Sequence, residues 1–407
     1  MSTQSITSRF KAHDCAKQTA TENKRYIAPY MLKSRAARVD GLEQPGNILQ
    51  EPGKHWNGLT WKNADGDLVF ADRVRTVEGQ RGSSLYRNND LAKRPGKYTW
   101  KNILVQPETE PFNSGMKWGT REYNVPEREF IDCDFFAIPR EHGIYASNYA
   151  DTTVDRCTFI RMGSQGVQFA HRSLPYQQYQ ADNRPYEESP THTLRDSHFI
   201  DCGQGGDRAS YNATYFDPGS PEHPGTLKVD GCSFVANWDE TKDGYKSTGA
   251  LVVTPMGGTG PLTSNFMTRV EVTNTLFDFT AGDRSIVNIR STDEVVFEDC
   301  VFIARNHTRP NVDIDSPAAN MGRSKTKRIV LRNCVGIGNV RLRVFGPDST
   351  GWTDNISHDI NCRGSEIVID GETGKVISSR KLPSQDPAVR KRLADRIARA
   401  RREYFGS

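Results

Sequence analysis

One eight-residue stretch constrains this chain more than any other: Leu227 to Phe234, reading LKVDGCSF. The side chains of a strand alternate between its two faces, so Leu227 and Val229 point the same way. Cys232 follows Val229 by three positions and breaks that phase. For Leu227, Val229, Cys232 and Phe234 to face one core, the backbone has to bend at Asp230 and Gly231. Glycine, asparagine and aspartate enter the left-handed region most readily, and such a bend can require it. The stretch therefore reads as two short strands meeting at a corner.

The corner recurs. FIDCDF (130–135), VDRCTF (154–159), LRDSHF (194–199), VTNTLF (272–277), FEDCVF (297–302) and LRNCVG (331–336) all fit it. The bend position holds Asp132, Arg156, Asp196, Gly231, Asn274, Asp299 and Asn333, and the next position is always Cys, Ser or Thr. WKNILV (100–105) fits as an earlier copy with Asn102 at the bend, and WKNADG (61–66) as a weaker one. Counted from residue 133, successive copies are offset by 24, 40, 35, 43, 25 and 34 residues. A repeat with a short minimum and elastic insertions implies a solenoid. No helical segment lies inside the unit, which excludes leucine-rich and helical repeats. A further strand often follows the corner: GIYAS (143–147), GVQFA (166–170), ALVVT (250–254), IVNIR (286–290) and NVDI (311–314).

Three short strands per turn, together with the run HGIYASNYADTTVDRCTF (142–159), give a chain that resembles the pectate-lyase-like superfamily and the β-helical domains of phage tailspikes. The resemblance covers residues 98–346 and concerns fold far more than chemistry. It implies an all-β chain, a right-handed parallel β-helix solenoid over 98–346. Around it the sequence places an N-terminal arm (1–56), a cap or first rung (57–97), a hairpin and C-terminal cap (347–383) and a short basic amphipathic α-helix (384–407). In the last segment Asp386 suits an N-cap and Pro387 the first helical position. The hairpin is expected in SEIVIDGETGKVISS (365–379), around Asp370 and Gly371.

Five of the eight cysteines, Cys133, Cys157, Cys232, Cys300 and Cys334, occupy the position after a bend. Equivalent residues of paired strands lie ~4.8 Å apart. The position also accepts Ser and Thr, and the chain has no CxxC pair. It is therefore expected to be a buried column of reduced thiols rather than a metal or disulfide array, with Cys15, Cys202 and Cys362 outside it. Free thiols fit a reducing cytoplasm. No apolar run is long enough to span a membrane. The segment MSTQSITSRFKAHDC lacks the apolar stretch of a signal peptide, so an ordinary export signal is not expected.

The formal net charge of +4 is unevenly spread. Residues 1–40 carry eight Lys/Arg against three acids, and residues 386–407 carry seven against three. The remaining body is acidic, which points to ends that meet an acidic partner. A protein surface is favoured over nucleic acid, because neither end holds a nucleic-acid motif. Val389, Leu393, Ile397, Ala400 and Tyr404 form a narrow apolar stripe at helical spacing. That stripe, with Arg390 and Arg396 beside it, is the expected assembly contact.

Four insertions, 172–192, 203–226, 236–248 and 255–268, fall in the middle turns, and loops on a rigid scaffold are where function concentrates. Tyr176, Tyr179, Tyr186 and Trp238 could stack on a sugar ring or a protein neighbour. A glycosidase needs two carboxylates across the scissile bond. By residue type the candidates are Asp207, Asp217, Glu222, Asp239, Glu240 and Asp243, with Arg208, Lys242 and Lys246 as basic partners. The paired aspartates and Gly-His-Gly of polygalacturonases are missing, and His142 before Gly143 reads as a turn residue. Neither a GxGxxG loop nor a phosphate-binding GxxxxGK loop occurs, and no metal or other cofactor is expected.

These features together predict a structural virion protein, a capsid decoration (cement) protein or a spike, made in the host cytoplasm and bound to the particle through its basic ends. Its partners would be capsid or tail proteins and, as the resemblance to tailspikes implies, two further copies in a homotrimer. The alternatives are a polysaccharide lyase or glycoside hydrolase, a tailspike that binds a surface glycan, and a cytoplasmic β-helix of unrelated role.

Overall fold

In the computed structural model of the chain, residues 151–160, 189–200, 224–236, 249–254, 265–279, 285–304, 311–317, 326–346 and 353–383 are described continuously, with shorter stretches between 60 and 217 and isolated positions elsewhere. The described residues form three sheets of twelve, eight and nine strands, almost all paired in parallel. From Lys97 to Phe345 the chain visits the first, second and third sheets in the same order eight times. One such passage runs through Asp151–Asp155, Thr158–Ile160 and Val167–Ala170, and the next begins at Thr191–Arg195 in register with the first. At the ends the pairing turns antiparallel. Thr60–Lys62 pairs with Leu68–Phe70, Arg328–Arg332 with Ser365–Asp370, and Arg341–Phe345 with Asn355–Asp359.

The passage from the first to the second sheet is the corner. Arg156, Asp196, Gly231, Asn274, Asp299 and Asn333 all have φ between 47° and 65°. Each bend donates its N–H to the end of the first-sheet strand one passage further on, as Gly231 does to Thr273 at 3.2 Å and Asn274 to Glu298 at 2.9 Å. The residue opening each second-sheet strand donates back to the preceding passage, as Leu276 does to Cys232 at 3.0 Å. The ladder thus continues around the bend, and the backbone turns without leaving buried amides unpaired. Leu227, Val229, Cys232 and Phe234 all lie in the core at 0–1% exposure. Asp132 and Asn102 lie outside the described residues, but the strands flanking Asn102, Lys97–Lys101 and Leu104–Val105, fall in the first and second sheets. The bend position of WKNADG lies outside the described residues, and the flanking strands Thr60–Lys62 and Leu68–Phe70 pair with each other, antiparallel, in the first sheet instead of passing to the second.

The position after the bend is buried in each passage where it is described, at Cys133, Cys157, Ser197, Cys232, Thr275, Cys300 and Cys334. All seven described cysteines are free thiols. Their Sγ–H groups donate to carbonyls, Cys157 to Phe130 at 3.3 Å and Cys334 to Phe297 at 3.4 Å, which is how thiols, hydroxyls and threonine can share one column. Cys362 belongs to it after all. Its sulfur accepts the N–H of Cys334 at 3.2 Å, because the chain returns across the end of the stack after residue 359. Burial first pushes the Cys334 thiol up, whereas the contact with Cys334 is the first cause for Cys362. Both therefore stay protonated.

Two positions further on lies a second column. Phe135, Phe159, Phe199, Phe234, Phe277 and Phe302 stack ring on ring, with centroids 4.7–5.2 Å apart and planes within 10° of parallel. The strand spacing imposes this offset stack, because each ring stands on the same register position of a parallel sheet.

The expected hairpin forms between Ser365–Asp370 and Val376–Lys381. Its turn is longer than a two-residue loop at Asp370 and Gly371. Asp370 accepts from the N–H and hydroxyl of Thr373, each at 2.7 Å, and Gly374 supplies the left-handed residue at φ 66°. Beyond it, Pro387, Ala388, Lys391, Ala394 and Asp395 are helical and exposed, and no helix has described bounds.

Candidate functional site

The tight corner leaves no room for insertion, so every insertion sits at one of the other two passages between sheets. The segments 203–211 and 237–248 lead from the second sheet to the third, whereas 171–190, 218–224 and 254–266 lead from the third to the first. Insertions therefore flank both ends of the third-sheet strands in the middle passages. This makes the outer face of the third sheet the candidate functional surface.

Of the predicted catalytic residues only Asp217 is placed. It ends the strand Asn212–Asp217 and pairs in register with Ala170. Asp207, Glu222, Asp239, Glu240 and Asp243 lie outside the described residues, as do Arg208, Lys242, Lys246 and the aromatic set Tyr176, Tyr179, Tyr186 and Trp238. The same is true of Val389, Arg390, Leu393, Arg396, Ile397, Ala400 and Tyr404.

Along the third sheet the core takes Phe169, Leu251, Val253, Val287, Ile289, Val312, Ile314, Leu342 and Val344. Alternation assigns the outer face to Gln168, Val252, Asn288, Asp313 and Arg343, which occupy one register column of the sheet. Asp313 is fully buried, and Arg343 grips it with two parallel bonds, Nε to Oδ1 and Nη2 to Oδ2, both 2.7 Å. Ser285 donates its hydroxyl to the same carboxylate. Arg343 also lies over the Phe345 ring at 5.3 Å. One passage earlier Arg290 donates to Ser316 at 2.9 Å, and Ser316 to Asn288 at 3.1 Å. Two parallel bonds from one guanidinium fork hold the carboxyl group in a fixed orientation. The pair ties the neighbouring strands Asn311–Ile314 and Arg341–Phe345 together.

The passage back to the first sheet has its own left-handed residues, Ser291 at φ 55° and Asp315 at φ 56°. Asp315 accepts from the N–H of Ser291 at 3.0 Å and that of Thr326 at 2.7 Å, so it ties two passages and the incoming strand together. Burial pushes its carboxyl up to about 6, against the opposing pull of those donors and of Arg290.

The first sheet carries charges on its outer face. Asp155 is held by Arg195 at 3.0 and 2.8 Å and by Arg156 at 2.7 Å. Glu294 bridges Arg269 and Arg328, and Glu366 bridges Arg332 and Arg380. The two guanidinium groups bonded to Glu366, Arg380 first, hold its carboxyl down at about 2. Asp196 moves the other way, raised by burial and then by the Asp230 and Asp155 carboxylates. On the second sheet a hydrogen bond of 2.7 Å joins His198 Nδ1 to Ser233 Oγ. That is the contact a nucleophile needs with its base. The adjacent amides are committed, however, Ser233 N–H to Ser197 at 3.0 Å and His198 N–H to Cys157 at 2.9 Å, so neither is open to stabilise an oxyanion.

The sequence reading missed the phenylalanine column, the Arg–carboxylate ladder, the Asp313–Arg343 pair and the second set of bends at Ser291 and Asp315. Phenylalanine at the end of nearly every corner motif was a usable signal for the first. The others depend on which strands become neighbours. Among the described residues no group of three or more His, Cys, Asp or Glu is placed to hold a metal ion, and no helix is long and apolar enough to cross a membrane. No known protein family matches the chain, and neither does any curated protein or solved structure.

Proposed function

We propose that the three sheets wind as a right-handed parallel β-helix solenoid and that this solenoid is a rigid component of a virus-like particle, either a capsid decoration protein or a spike. The single observation that carries the reading is how the charge is organised. Along the solenoid, acidic side chains such as Asp155, Glu294, Asp313 and Glu366 are held by arginines of the same chain. The positive excess is concentrated in residues 1–40 and 386–407. A shaft whose acids are held by its own arginines, with the positive excess of the sequence in its terminal segments, is the arrangement expected of a rod anchored at its ends to acidic neighbours. Those neighbours would be capsid or tail proteins, with the chain itself as a trimer partner.

A second reading, glycan binding or cleavage in the middle passages, is favoured by the insertions at both ends of the third-sheet strands. Deleting 386–407 separates the two. Anchoring predicts a truncated chain that keeps its strand content but loses attachment to the particle, with wild-type attachment weakening as salt rises. Attachment unchanged by truncation at every salt concentration would remove the support for anchoring. Turnover of an acidic or neutral polysaccharide that disappears in Asp217→Ala would establish the enzymatic reading instead.

A further inference from the structure

On the first sheet, Val296, Val330 and Val368 are register partners on three neighbouring strands. Their chain neighbours Val295, Phe297, Ile329, Leu331 and Ile369 belong to the core, so alternation turns these three valines outward. They are nevertheless buried, at 0%, 0% and 3% exposure, and form a cluster separate from the core. The charged side chains flanking the row are drawn along it, not across it. On one side Arg269 and Arg328 bond Glu294; on the other Arg332 bonds Glu298 and Glu366, and Arg380 bonds Glu366. Each of these pairs joins register partners, so the charges run along the stack as two rails, with the valines as the floor of a groove between them.

A buried outward row needs a cover, and the tail of the chain is placed to supply it. The N–H of Leu382 donates to Gly364 at 2.9 Å, which ties the chain to this end of the first sheet. Helical residues begin at Pro387, and the extended chain between the two reaches at most ~18 Å. Pro387, Ala388, Lys391, Ala394 and Asp395 are all exposed, and at ~100° per residue they fall within one arc of ~120°. The same spacing sets Val389, Leu393, Ile397 and Ala400 on the opposite side. A helix rises ~12 Å from Val389 to Ile397, and three paired strands span ~10 Å, so stripe and row match in length. Ile356, Val376 and Ile377, the exposed large hydrophobic residues among the described part of the chain, remain 43–61% exposed at the end of the stack, so the stripe is not spent on them.

We propose that the helical tail of this chain folds back over the groove, running from the C-terminal end of the stack toward its middle, with Val389 over Val368, Leu393 over Val330 and Ile397 over Val296. Docking clips the last passages together and turns the face bearing Lys391 outward, where a partner can meet it. The apolar stripe then belongs to this chain and the charged face to the partner, and the docking does not depend on the particle reading. Because the rails neutralise their own charges, apolar contact holds the helix, and salt that weakens attachment to a particle should leave it docked.

Thiol labelling of the full chain tests it. The thiol introduced by Val330→Cys, in the middle of the row, should react slowly with a maleimide, as followed by peptide mass spectrometry, at low and at high salt. It should react several-fold faster when residues 384–407 are deleted, or when Leu393→Asp puts a charge into the contact. Cys300 and Cys334 are buried core thiols and should stay unmodified throughout, which reports an intact stack. If the deletion makes them reactive, Leu393→Asp alone decides. Equal rates in all three proteins would mean that the rails or another segment cover the row, and fast labelling in the full chain would mean that the groove is open; either result overturns the proposal. Protection lost on dilution would assign the groove to the helix of a second copy, and protection lost at high salt would assign the contact to charge, and each overturns it as well.

Discussion

Among the described bends between the first and second sheets, Arg156 is the one residue that is neither Asp, Asn nor Gly, yet it adopts φ 50° like the rest. Holding a side chain with an ordinary Cβ in the left-handed region costs ~1–2 kcal/mol, a cost that asparagine largely escapes. What Arg156 gains in return is an ion pair with Asp155 at 2.7 Å, made by a side chain that is 38% exposed. Exposed pairs of this kind contribute ~0–1 kcal/mol. Asp155 would not be stranded by the loss, because Arg195 holds both of its oxygens. The two magnitudes predict that Arg156→Asn stabilises the protein by ~0.5–1 kcal/mol. Arg156→Gly should gain less, because glycine loses more unfolded-chain entropy on folding. Urea unfolding followed by circular dichroism reads the difference as a higher midpoint at unchanged slope. A loss of ~1 kcal/mol or more in Arg156→Asn would show that the bend is not strained and that the ion pair dominates, contrary to the usual ranking. Asn274→Ala supplies the reverse case, since it forfeits both the favoured residue and the bond of 3.0 Å to Asp230, and its midpoint should fall.

Phe234→Ala removes the middle of the phenylalanine column, where the ring is fully buried between Phe199 at 4.8 Å and Phe277 at 5.2 Å. Its cost should be ~3–5 kcal/mol in the same unfolding assay. The pH dependence has two parts of opposite sign. Asp315 has its carboxyl raised from 3.8 to about 6 in the fold, so the folded state binds the extra proton and stability declines as pH rises through that window. Asp315→Asn should flatten that slope in unfolding curves taken from pH ~4 to ~7. Glu366 is lowered from 4.5 to about 2, so its contribution is complete above 4.5 and is lost as pH falls toward 2. Glu366→Gln should lose stability at neutral pH and show less further loss on acidification.

The corner was legible in the sequence because its demand is local. A broken phase between Val229 and Cys232, with Gly231 between them, can be met only by a bend, and φ at Gly231 is 65°. The third-sheet strands were legible for a similar reason, as apolar alternation in GVQFA and NVDI needs no knowledge of neighbours. Asp315 and Ser291 escaped notice because their left-handed turn follows a strand whose phase is unbroken. Cys362 escaped because it reaches the column only after the chain has doubled back through an antiparallel strand. The Asp313–Arg343 pair joins residues thirty positions apart, and nothing in either local sequence announces the other. As for the candidate site, the sequence located the insertions but not the sheet they flank, since that depends on which passage between sheets is the tight one.

Whether this chain is an anchored scaffold is tested most directly by cross-linking mass spectrometry on the native assembly. Lysine-reactive linkers have accessible targets in Lys327 and Lys391, whose side chains are 65% and 77% exposed. Anchoring through the ends predicts links from Lys391 and the lysines of residues 1–40 to a second protein with an acidic surface, and few such links from Lys327, beside the first-sheet strand Arg328–Arg332. Native material in which Lys391 links only to its own chain, while the chain sediments alone, would contradict it.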